Sequence, residues 1–448
     1  MKSVAVISLG CDKNRIDTEH MLYRIVKAGY AVSDVNDADV IIVNTCAFIE
    51  SAREESIDNI LQCAQLKKTG NCKKLIVTGC LPQKHREELV AALPEVDAFL
   101  GAFEYDKILA AMSAGEAECE TAAAEQEENH YNDFYSAENC GRVLTTLPHT
   151  AYIKVAEGCN NKCTFCTIPS IRGVYRSRPV KDICDEAERL VGDGVKELIL
   201  VAQDVSRYGQ DIGASLIELL TELEKLPVSL IRLLYCYPEQ VTDELIEKIA
   251  TSSKIAKYID VPIQHCSDKI LKLMNRKTTG AAIERLITKL HKRGIVVRTT
   301  LMVGFPGETQ KEFDELCSFV SRVKPEYAGV FAYSKEEGTP AAWLPGQVAK
   351  PDKLKRVKAL GKICASVTRE FNASLVGKRV EVLYEDVDFD KNRFVGRAAF
   401  QAPDVDGQVY FTCKNADVGN FYEVEIQRSD NYDLYGKAIE PQTKSIKE

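Results

Sequence analysis

The sequence predicts an α/β protein of three domains: a parallel α/β domain, a partial or complete (β/α) barrel, and a small OB-like β-barrel. Two observations lead to this prediction. Short apolar strands alternate with helical segments up to about residue 332, a pattern typical of parallel sheets covered by helices. After about residue 376, five short strands with polar turns follow one another, which is typical of a small closed sheet.

Changes in composition divide the chain of 448 residues. The first domain is predicted at 1–115, and an acidic linker at 116–141, where no Lys or Arg occurs between Glu116 and Asn139. The second domain is predicted at 142–372 and the third at 374–441. A chain of this length can bury several separate cores.

In the first domain a cysteine follows each of three predicted strands. The strands are Val4–Ser8, Val40–Asn44 and Leu75–Thr78, and the cysteines are Cys11, Cys46 and Cys80. Because the carboxyl ends of parallel strands lie at one edge of a sheet, we expect the three thiols to lie together there. A single cysteine of this kind would be interpreted as a small core residue. Three at equivalent positions favour an iron–sulfur site.

The second domain begins with the most specific motif of the chain, CxxxCxxC at Cys159, Cys163 and Cys166, directly after the strand Tyr152–Val155. One turn of chain can wrap three thiolates round an iron–sulfur cluster, and the fourth iron then remains open for another ligand. A zinc knuckle would place its cysteines in separated pairs, and a ferredoxin-type site would supply a fourth cysteine nearby. The next cysteine is Cys184, on a helical segment.

Six strands are predicted in the second domain, and polar residues stand on or after several of them. The strands are Tyr152–Val155, Leu198–Val201, Leu230–Tyr235, Tyr258–Val261, Val296–Val303 and Gly329–Ala332. Gln203 and Gly304 follow strand ends, where barrels bind their ligands, and Arg298 interrupts an apolar strand, as expected if it points into the barrel towards an anion. We predict these three residues to contact the cofactor. For Gln203 and Arg298, a structural hydrogen bond fits the sequence equally well.

Three arginines lie just after the CxxxCxxC motif, at Arg172, Arg176 and Arg178. Arginine is well suited to bind carboxylates and phosphates through paired hydrogen bonds. The cluster therefore either holds such a group near the motif or belongs to a solvated loop.

The overall charge and the cysteine content limit the classes of function. The net charge of −8 and the pI near 5.6 argue against a broad basic surface for nucleic acid, and fit a basic partner better. Sixteen cysteines without a secretory signal indicate a reducing compartment, where thiols serve as metal ligands or core residues. No apolar run has membrane-spanning length. We expect a cytoplasmic protein.

The CxxxCxxC motif resembles that of radical S-adenosylmethionine (SAM) enzymes. Together with the three N-terminal cysteines and the terminal β-barrel, the chain resembles the methylthiotransferase family over nearly its whole length. This family joins an N-terminal methylthiotransferase domain, a radical SAM barrel and a TRAM domain. The branch called RimO, which modifies an aspartate of small ribosomal subunit protein twelve, is favoured by five stretches: Ser8–Asn14, Val201–Ser206, Pro262–His265, Arg298–Thr300 and Asp430–Gly436.

The resemblance implies two [4Fe-4S] clusters, one at Cys159, Cys163 and Cys166 and an auxiliary one at Cys11, Cys46 and Cys80. It further implies that SAM is cleaved to a 5′-deoxyadenosyl radical, which takes hydrogen from the aspartate β-carbon before a methylthio group is added. The clusters carry this chemistry, and no catalytic side chain is predicted. The implied partners are the basic ribosomal protein, an external electron donor and a sulfur source. Ala47 and Arg15 depart from the family pattern, which puts only local loop shape in doubt.

Two other functions fit parts of the sequence. The second branch of the family modifies an adenosine of tRNA, but acidic residues outnumber basic ones in the predicted third domain, and phosphate contacts need Lys and Arg. An iron–sulfur carrier, from a different functional class, would have no need of a large barrel with an open iron.

Overall fold

The computed structural model describes residues 2–113, 141–390 and 392–439. The predicted linker at 116–141 lies outside the described residues, apart from its last position. The α/β class, the central partial barrel and the small closed barrel at the end are all confirmed.

The first domain is a five-stranded parallel sheet in the order β2-β1-β3-β4-β5, with helices on both faces. Its strands are β1 Ser3–Ser8, β2 Ala31–Val32, β3 Val40–Thr45, β4 Lys74–Gly79 and β5 Ala98–Phe99, and its helices are α1 Asp12–Lys27, α2 Glu50–Thr69, α3 Cys80–Ala92 and α4 Ile108–Ser113. The central strand β3 is buried along its whole length. Ile41 and Val43 pack into one core cluster and Val40 and Ile42 into another, which explains its uninterrupted apolar sequence.

The second domain is a partial barrel of six parallel strands. Its strands, together with a two-stranded ribbon β7–β8, are β6 Thr150–Lys154, β7 Ala156–Glu157, β8 Arg176–Ser177, β9 Glu197–Val201, β10 Leu230–Leu233, β11 Tyr258–Asp260, β12 Val296–Val303 and β13 Tyr327–Ala332. The sheets β10-β9-β6 and β11-β12-β13 are joined by a parallel bridge from Ile231 to Ile255. Among the described residues β6 and β13 do not pair, so the barrel is open on that side.

Most helices of the second domain cover the outside of the barrel, whereas the first of them places Ile171 in a core cluster of the first domain. The helices are α5 Ile168–Arg172, α6 Val180–Gly192, α7 Leu216–Leu223, α8 Asp243–Thr251, α9 Asp268–Leu273, α10 Gly280–Lys292 and α11 Gln310–Val323, and α12 Lys350–Ser374 leads to the third domain. Alternate strand residues such as Ile259 and Val297 pack with these helices in one core cluster. Their neighbours Tyr258 and Arg298 therefore face the barrel interior. No helix within the described ranges is long and apolar enough to cross a membrane.

The third domain is a closed five-stranded barrel in the order β14-β15-β16-β18-β17. Its strands are β14 Arg379–Asp388, β15 Arg393–Ala398, β16 Val409–Thr412, β17 Phe421–Ser429 and β18 Leu434–Ala438. All pairings are antiparallel except that of β16 with β18. The sequence predicted five strands in this part of the chain, and five are found.

The third domain docks on the second through buried ion pairs. Glu197 of β9 accepts hydrogen bonds from Arg232 at 2.7 Å and from Arg397 of β15 at 2.6 Å. All three side chains are almost fully buried. Burial opposes ionisation of Glu197, but Arg397 and Arg232 outweigh it and lower its pKa to about 2. The two domains therefore share one desolvated charge network.

Replacing Arg397 with Met is expected to reduce the free energy of unfolding by about 3–5 kcal/mol, because it leaves Glu197 and Glu385 partly unpaired in a buried site. Urea denaturation measures this difference. Arg322→Met is the control, since the ion pair of Arg322 with Glu284 is exposed and should contribute little. Equal urea midpoints for the two variants would contradict the structural role given to Arg397.

Candidate functional site

The three N-terminal cysteines lie together at the carboxyl edge of the first sheet. Strands β1, β3 and β4 are neighbours, with Ser8 opposite Asn44 and Thr45 opposite Gly79, so the loops after them meet. Cys46 interacts electrostatically with both Cys11 and Cys80. The gathering predicted from the strand pattern is thus present in the structure. Their role as iron ligands stays a prediction.

Two glycines allow this close approach. Gly10 has a φ of +87°, and a Cβ added there would lie 2.7 Å from Cys46 Cβ and 3.0 Å from its Sγ. Gly79 has a φ of +99°, and a Cβ there would lie 2.4 Å from the Asn44 side chain. Asn14 fastens the loops by donating to the carbonyl oxygen of Thr45 at 2.9 Å. Both the backbone conformation and the space therefore require glycine.

The CxxxCxxC cysteines form a second group at the mouth of the barrel, on a loop between β7 and β8. The Cys166 amide donates to the Cys163 carbonyl at 3.1 Å, and Cys159 donates to Gly173 at 3.1 Å. Cys166 interacts electrostatically with Cys163 and Cys159. Segments further along the chain also fix this loop: the backbone of Thr164 forms hydrogen bonds with the backbone of Met274 and of Ala341. The short ribbon and helix α5 around this loop were not predicted.

Burial of these thiols disfavours their charged form. Burial raises the pKa of Cys46 and of Cys159 to about 11, and that of Cys166 to about 12. Iron binds the thiolate rather than the thiol. Iron binding would therefore have to displace the thiol protons.

The donor atoms of the two cysteine groups are of a type that iron–sulfur clusters use. In the described part of the chain, no three His, Cys, Asp or Glu side chains converge closely enough to hold one metal ion. Sets composed of thiols suit iron–sulfur clusters rather than metals that prefer oxygen.

A buried charge network lies between the two cysteine groups. Arg172, at the end of α5, donates to Asp17 of the first domain and to Glu157 of the barrel, each at 3.1 Å. It also donates to Cys80 Sγ at 3.3 Å. Lys154 completes the network, with its Nζ 2.5 Å from Asp17 and 2.8 Å from Glu157. One guanidinium therefore connects the helix beside the CxxxCxxC loop with a sulfur of the other group.

Two of the three arginines after the motif are not solvated, and Arg176 is half-buried. The side chains of Arg172 and Arg178 are buried, and Arg178 donates to Glu186 at 2.7 Å. The carboxylates that these two arginines hold belong to the protein itself. The sequence could not reveal this, because Asp17, for example, precedes Arg172 by 155 positions.

Gln203 and Gly304 lie after strands of the barrel, as expected. Gln203 donates through Nε2 to Glu157, while its buried Oε1 has no hydrogen-bond partner within the described residues. The Gly304 amide donates to Glu308 at 2.6 Å. Gln203 thus keeps an acceptor for a ligand, whereas the Gly304 amide is already used. Cofactor contact by either residue stays a prediction.

Arg298 faces the barrel interior, as its position in β12 suggested, and it pairs with anions of the protein. Its Nη1 donates to Asp260 at 3.1 Å, and its Nε lies 3.5 Å from Asp406 of the third domain. Tyr258 donates to the same Asp406 at 2.8 Å. Whether Arg298 also contacts a cofactor stays a prediction.

Two tyrosines near the cysteines were missed by sequence reasoning. The Tyr237 oxygen lies 3.0 Å from Cys163 Sγ. Tyr235 donates to Asp12 at 3.0 Å and has a φ of +61°, unusual for a residue other than glycine. Both follow β10, so their place at a strand's carboxyl end was the available indication.

Three protein families match successive parts of the chain. Residues 3–101 match the family described as Uncharacterized protein family UPF0004. Residues 153–320 match the Radical SAM superfamily, and residues 376–439 match the TRAM domain.

Curated relatives match nearly the whole chain. Proteins named "Ribosomal protein uS12 methylthiotransferase RimO" are 47% identical in Clostridium botulinum (strain Loch Maree / Type A3), over 97% of this chain and 97% of that protein. In Geotalea uraniireducens the identity is 45%, with 98% of both chains covered. In Geobacter sulfurreducens it is 44%, with 98% of this chain and 99% of that protein covered.

Solved structures share the fold at low sequence identity. The radical S-adenosylmethionine methyltransferase TsrM from Kitasatospora setae, with cobalamin and a [4Fe-4S] cluster bound, is 15% identical with a TM-score of 0.52. The match covers 76% of this chain and 77% of that one. A second TsrM structure, with tryptophan and a SAM analogue, has a TM-score of 0.51 and covers 74% and 73%.

Replacing Gly10 with Ala is expected to displace Cys46, because the new Cβ would overlap the Cys46 side chain. Iron bound after anaerobic reconstitution should fall towards the content of one cluster. Gly29→Ala is the matched control, since Gly29 has a φ of +85° but nothing within 4 Å of an added Cβ. If both variants bind as much iron as the parent protein, the packing of Cys46 against Gly10 is irrelevant to the metal site.

Proposed function

The chain belongs to the ribosomal protein uS12 methylthiotransferase RimO family, and from this premise we propose that it adds a methylthio group to the β-carbon of an aspartate of uS12. The main support is the identity of 44–48% to relatives of this name, spread over all three domains. The chain is a radical SAM methylthiotransferase by the same similarity. Its substrate would be a basic ribosomal protein, which accords with a net charge of −8.

In the structure, the short connection between the two cysteine groups supports the proposal. Methylthiolation of carbon needs one site that breaks a C–H bond and a second site that supplies sulfur. Both sites must reach the same substrate carbon. Arg172 ends the helix that follows the CxxxCxxC loop and donates to Cys80 Sγ at 3.3 Å. A residue that lies just after the CxxxCxxC loop and contacts a cysteine of the other group supports a common reaction chamber.

Six cysteines would hold the metal groups. Cys159, Cys163 and Cys166 would bind one [4Fe-4S] cluster, and Cys11, Cys46 and Cys80 an auxiliary one. Bound there together with SAM, the two clusters supply the one-electron and sulfur chemistry that side chains lack. Reducing equivalents and sulfur would come from an external electron donor and a sulfur source.

The chain's own residues orient the reactants and exclude water. Gln203 offers a buried Oε1 that could accept a hydrogen bond from the amine of SAM. Phe165 of the motif loop packs edge-on against Phe305, which packs in turn against Tyr333. This aromatic layer closes one side of the motif loop, and a closed site protects a reactive species from water.

The tRNA branch is the second candidate, and the structure adds an argument against it. Residues 374–441 contain thirteen acidic and eight basic residues, and one of the basic ones, Arg397, is buried and paired with Glu197 and Glu385. It is therefore unable to contact phosphate. Acids including Asp386 and Asp390 lie on the β14–β15 hairpin, where they would repel an RNA backbone.

With a ribosomal protein as substrate, the enzyme acts in the cytoplasm.

Replacing single cysteines should separate the two half-reactions. Cys159→Ala is expected to abolish release of 5′-deoxyadenosine from SAM. Cys46→Ala should retain that release and lose the methylthiolated product, as measured by liquid chromatography and mass spectrometry. Cys63→Ala, which removes another buried thiol of the first domain, should retain both activities. An unchanged product yield in Cys46→Ala would refute the auxiliary site.

Mass spectrometry of cells that lack this protein should identify the substrate class. The expected result is loss of the methylthio group from uS12, with the methylthiolated nucleosides of tRNA unchanged. Restoring the intact gene should restore the modified uS12, whereas a gene encoding Cys159→Ala should leave it unmodified. Loss of a tRNA methylthio nucleoside instead would move the chain to the tRNA branch.

A further inference from the structure

Arg172 stands apart from the other buried arginines at the domain interface because it contacts sulfur. Its Nη2 lies 3.3 Å from Cys80 Sγ and 2.6 Å from the Asn14 Oδ1. The side chain is 2% exposed. Cys80 belongs to the first domain, whereas Arg172 belongs to the second, so this contact forms only when the two domains are docked.

The guanidinium is held in one orientation. Its Nη1 donates to Asp17 and Glu157, each at 3.1 Å, which turns its Nη2 towards Cys80. A guanidinium is planar with donors in a fixed fork, so contacts at one nitrogen fix the direction of the other. Lys154 binds the same two carboxylates and keeps them in place.

A charged hydrogen-bond donor beside a cluster ligand changes the reduction potential of the cluster. Hydrogen bonds to ligand sulfur and the local charge are among the factors that set the reduction potential of iron–sulfur clusters. Adding an electron makes the cluster more negative, so a nearby cation and an N–H···S bond favour the reduced form. In a buried site water screens this effect poorly.

We propose that Arg172 is a positioning residue for the auxiliary cluster: it donates a hydrogen bond from the barrel to Cys80 and raises that cluster's reduction potential. The proposal rests on the proposed function, since it takes Cys11, Cys46 and Cys80 as the cluster ligands. It goes further by making the electronic state of the auxiliary cluster depend on a residue of the neighbouring domain.

The interface provides a matched control in Arg142. This arginine is equally buried and also joins the two domains, through Glu19 of α1 and Glu186 of the barrel. Within the described part of the chain its hydrogen bonds run to Glu19, Glu186 and the carbonyl of Tyr152, and none of them involves sulfur. Replacing either arginine should therefore loosen the interface, whereas only the replacement of Arg172 should change the reduction potential of the cluster.

The test uses the full chain with Cys159, Cys163 and Cys166 replaced by Ala, so that iron is bound only at the auxiliary site. After anaerobic reconstitution, iron content is measured and the reduction potential is followed by electron paramagnetic resonance. Arg172→Lys should shift the potential to a more negative value at unchanged iron content, while Arg142→Lys should leave it unchanged. Equal potentials in both variants would overturn the proposal.

A second measurement covers the case in which Arg172→Lys fails to fold or to bind iron. The parent protein with its three Ala substitutions is prepared with arginine labelled with ¹⁵N in the guanidinium group and then reduced. Electron–nuclear double resonance should detect a ¹⁵N coupling to the cluster, and its absence would overturn the proposal. Absence of iron from this parent would instead disprove the auxiliary site itself, and with it the proposed function.

Discussion

The architecture depends on a desolvated salt-bridge network at the interface between the first domain and the barrel. Two cations, Lys154 and Arg172, face two carboxylates, Asp17 and Glu157, and all four are buried. Burial opposes the ionisation of Glu157, but the two cations lower its pKa to about 2. Buried charges are tolerated only while every partner stays in place. The network therefore fixes how the two domains dock. It thereby also fixes the distance between the two groups of three cysteines.

Helix α1 belongs to both halves of this arrangement. It begins directly after Cys11, and Asn14 fastens the loops that carry the other two cysteines. Asp17 and Glu19 on the same helix bind cations that belong to or precede the barrel. Polar residues such as Asn14, Asp17 and Glu19 are buried. The side of this helix that would meet water in a surface helix therefore lies in the domain interface, which explains its weak amphipathic pattern.

The sequence was sufficient wherever the relevant pattern is local. Cys11, Cys46 and Cys80 each follow a strand, and the geometry of parallel sheets brings the three together without further information. The partners of Arg172 and Arg298 could not be predicted, because each depends on how separate domains dock. Arg298 was expected to bind an anion and does so, but Asp406 lies more than a hundred residues away in the third domain. The short ribbon β7–β8 escaped prediction because two-residue strands carry no periodicity.

Asp406 connects the third domain with the interior of the barrel of the second domain. From a loop of the small barrel it reaches Tyr258 and Arg298 on the inner face of the large one. The third domain thus forms a floor to the catalytic core in addition to any role as a recognition module. If the third domain were replaced by the TRAM domain of another enzyme, the contacts of Asp406 with Tyr258 and Arg298 would be lost. Successful chimaeras would have to transplant the loop 402–407 and its two partners as a single unit.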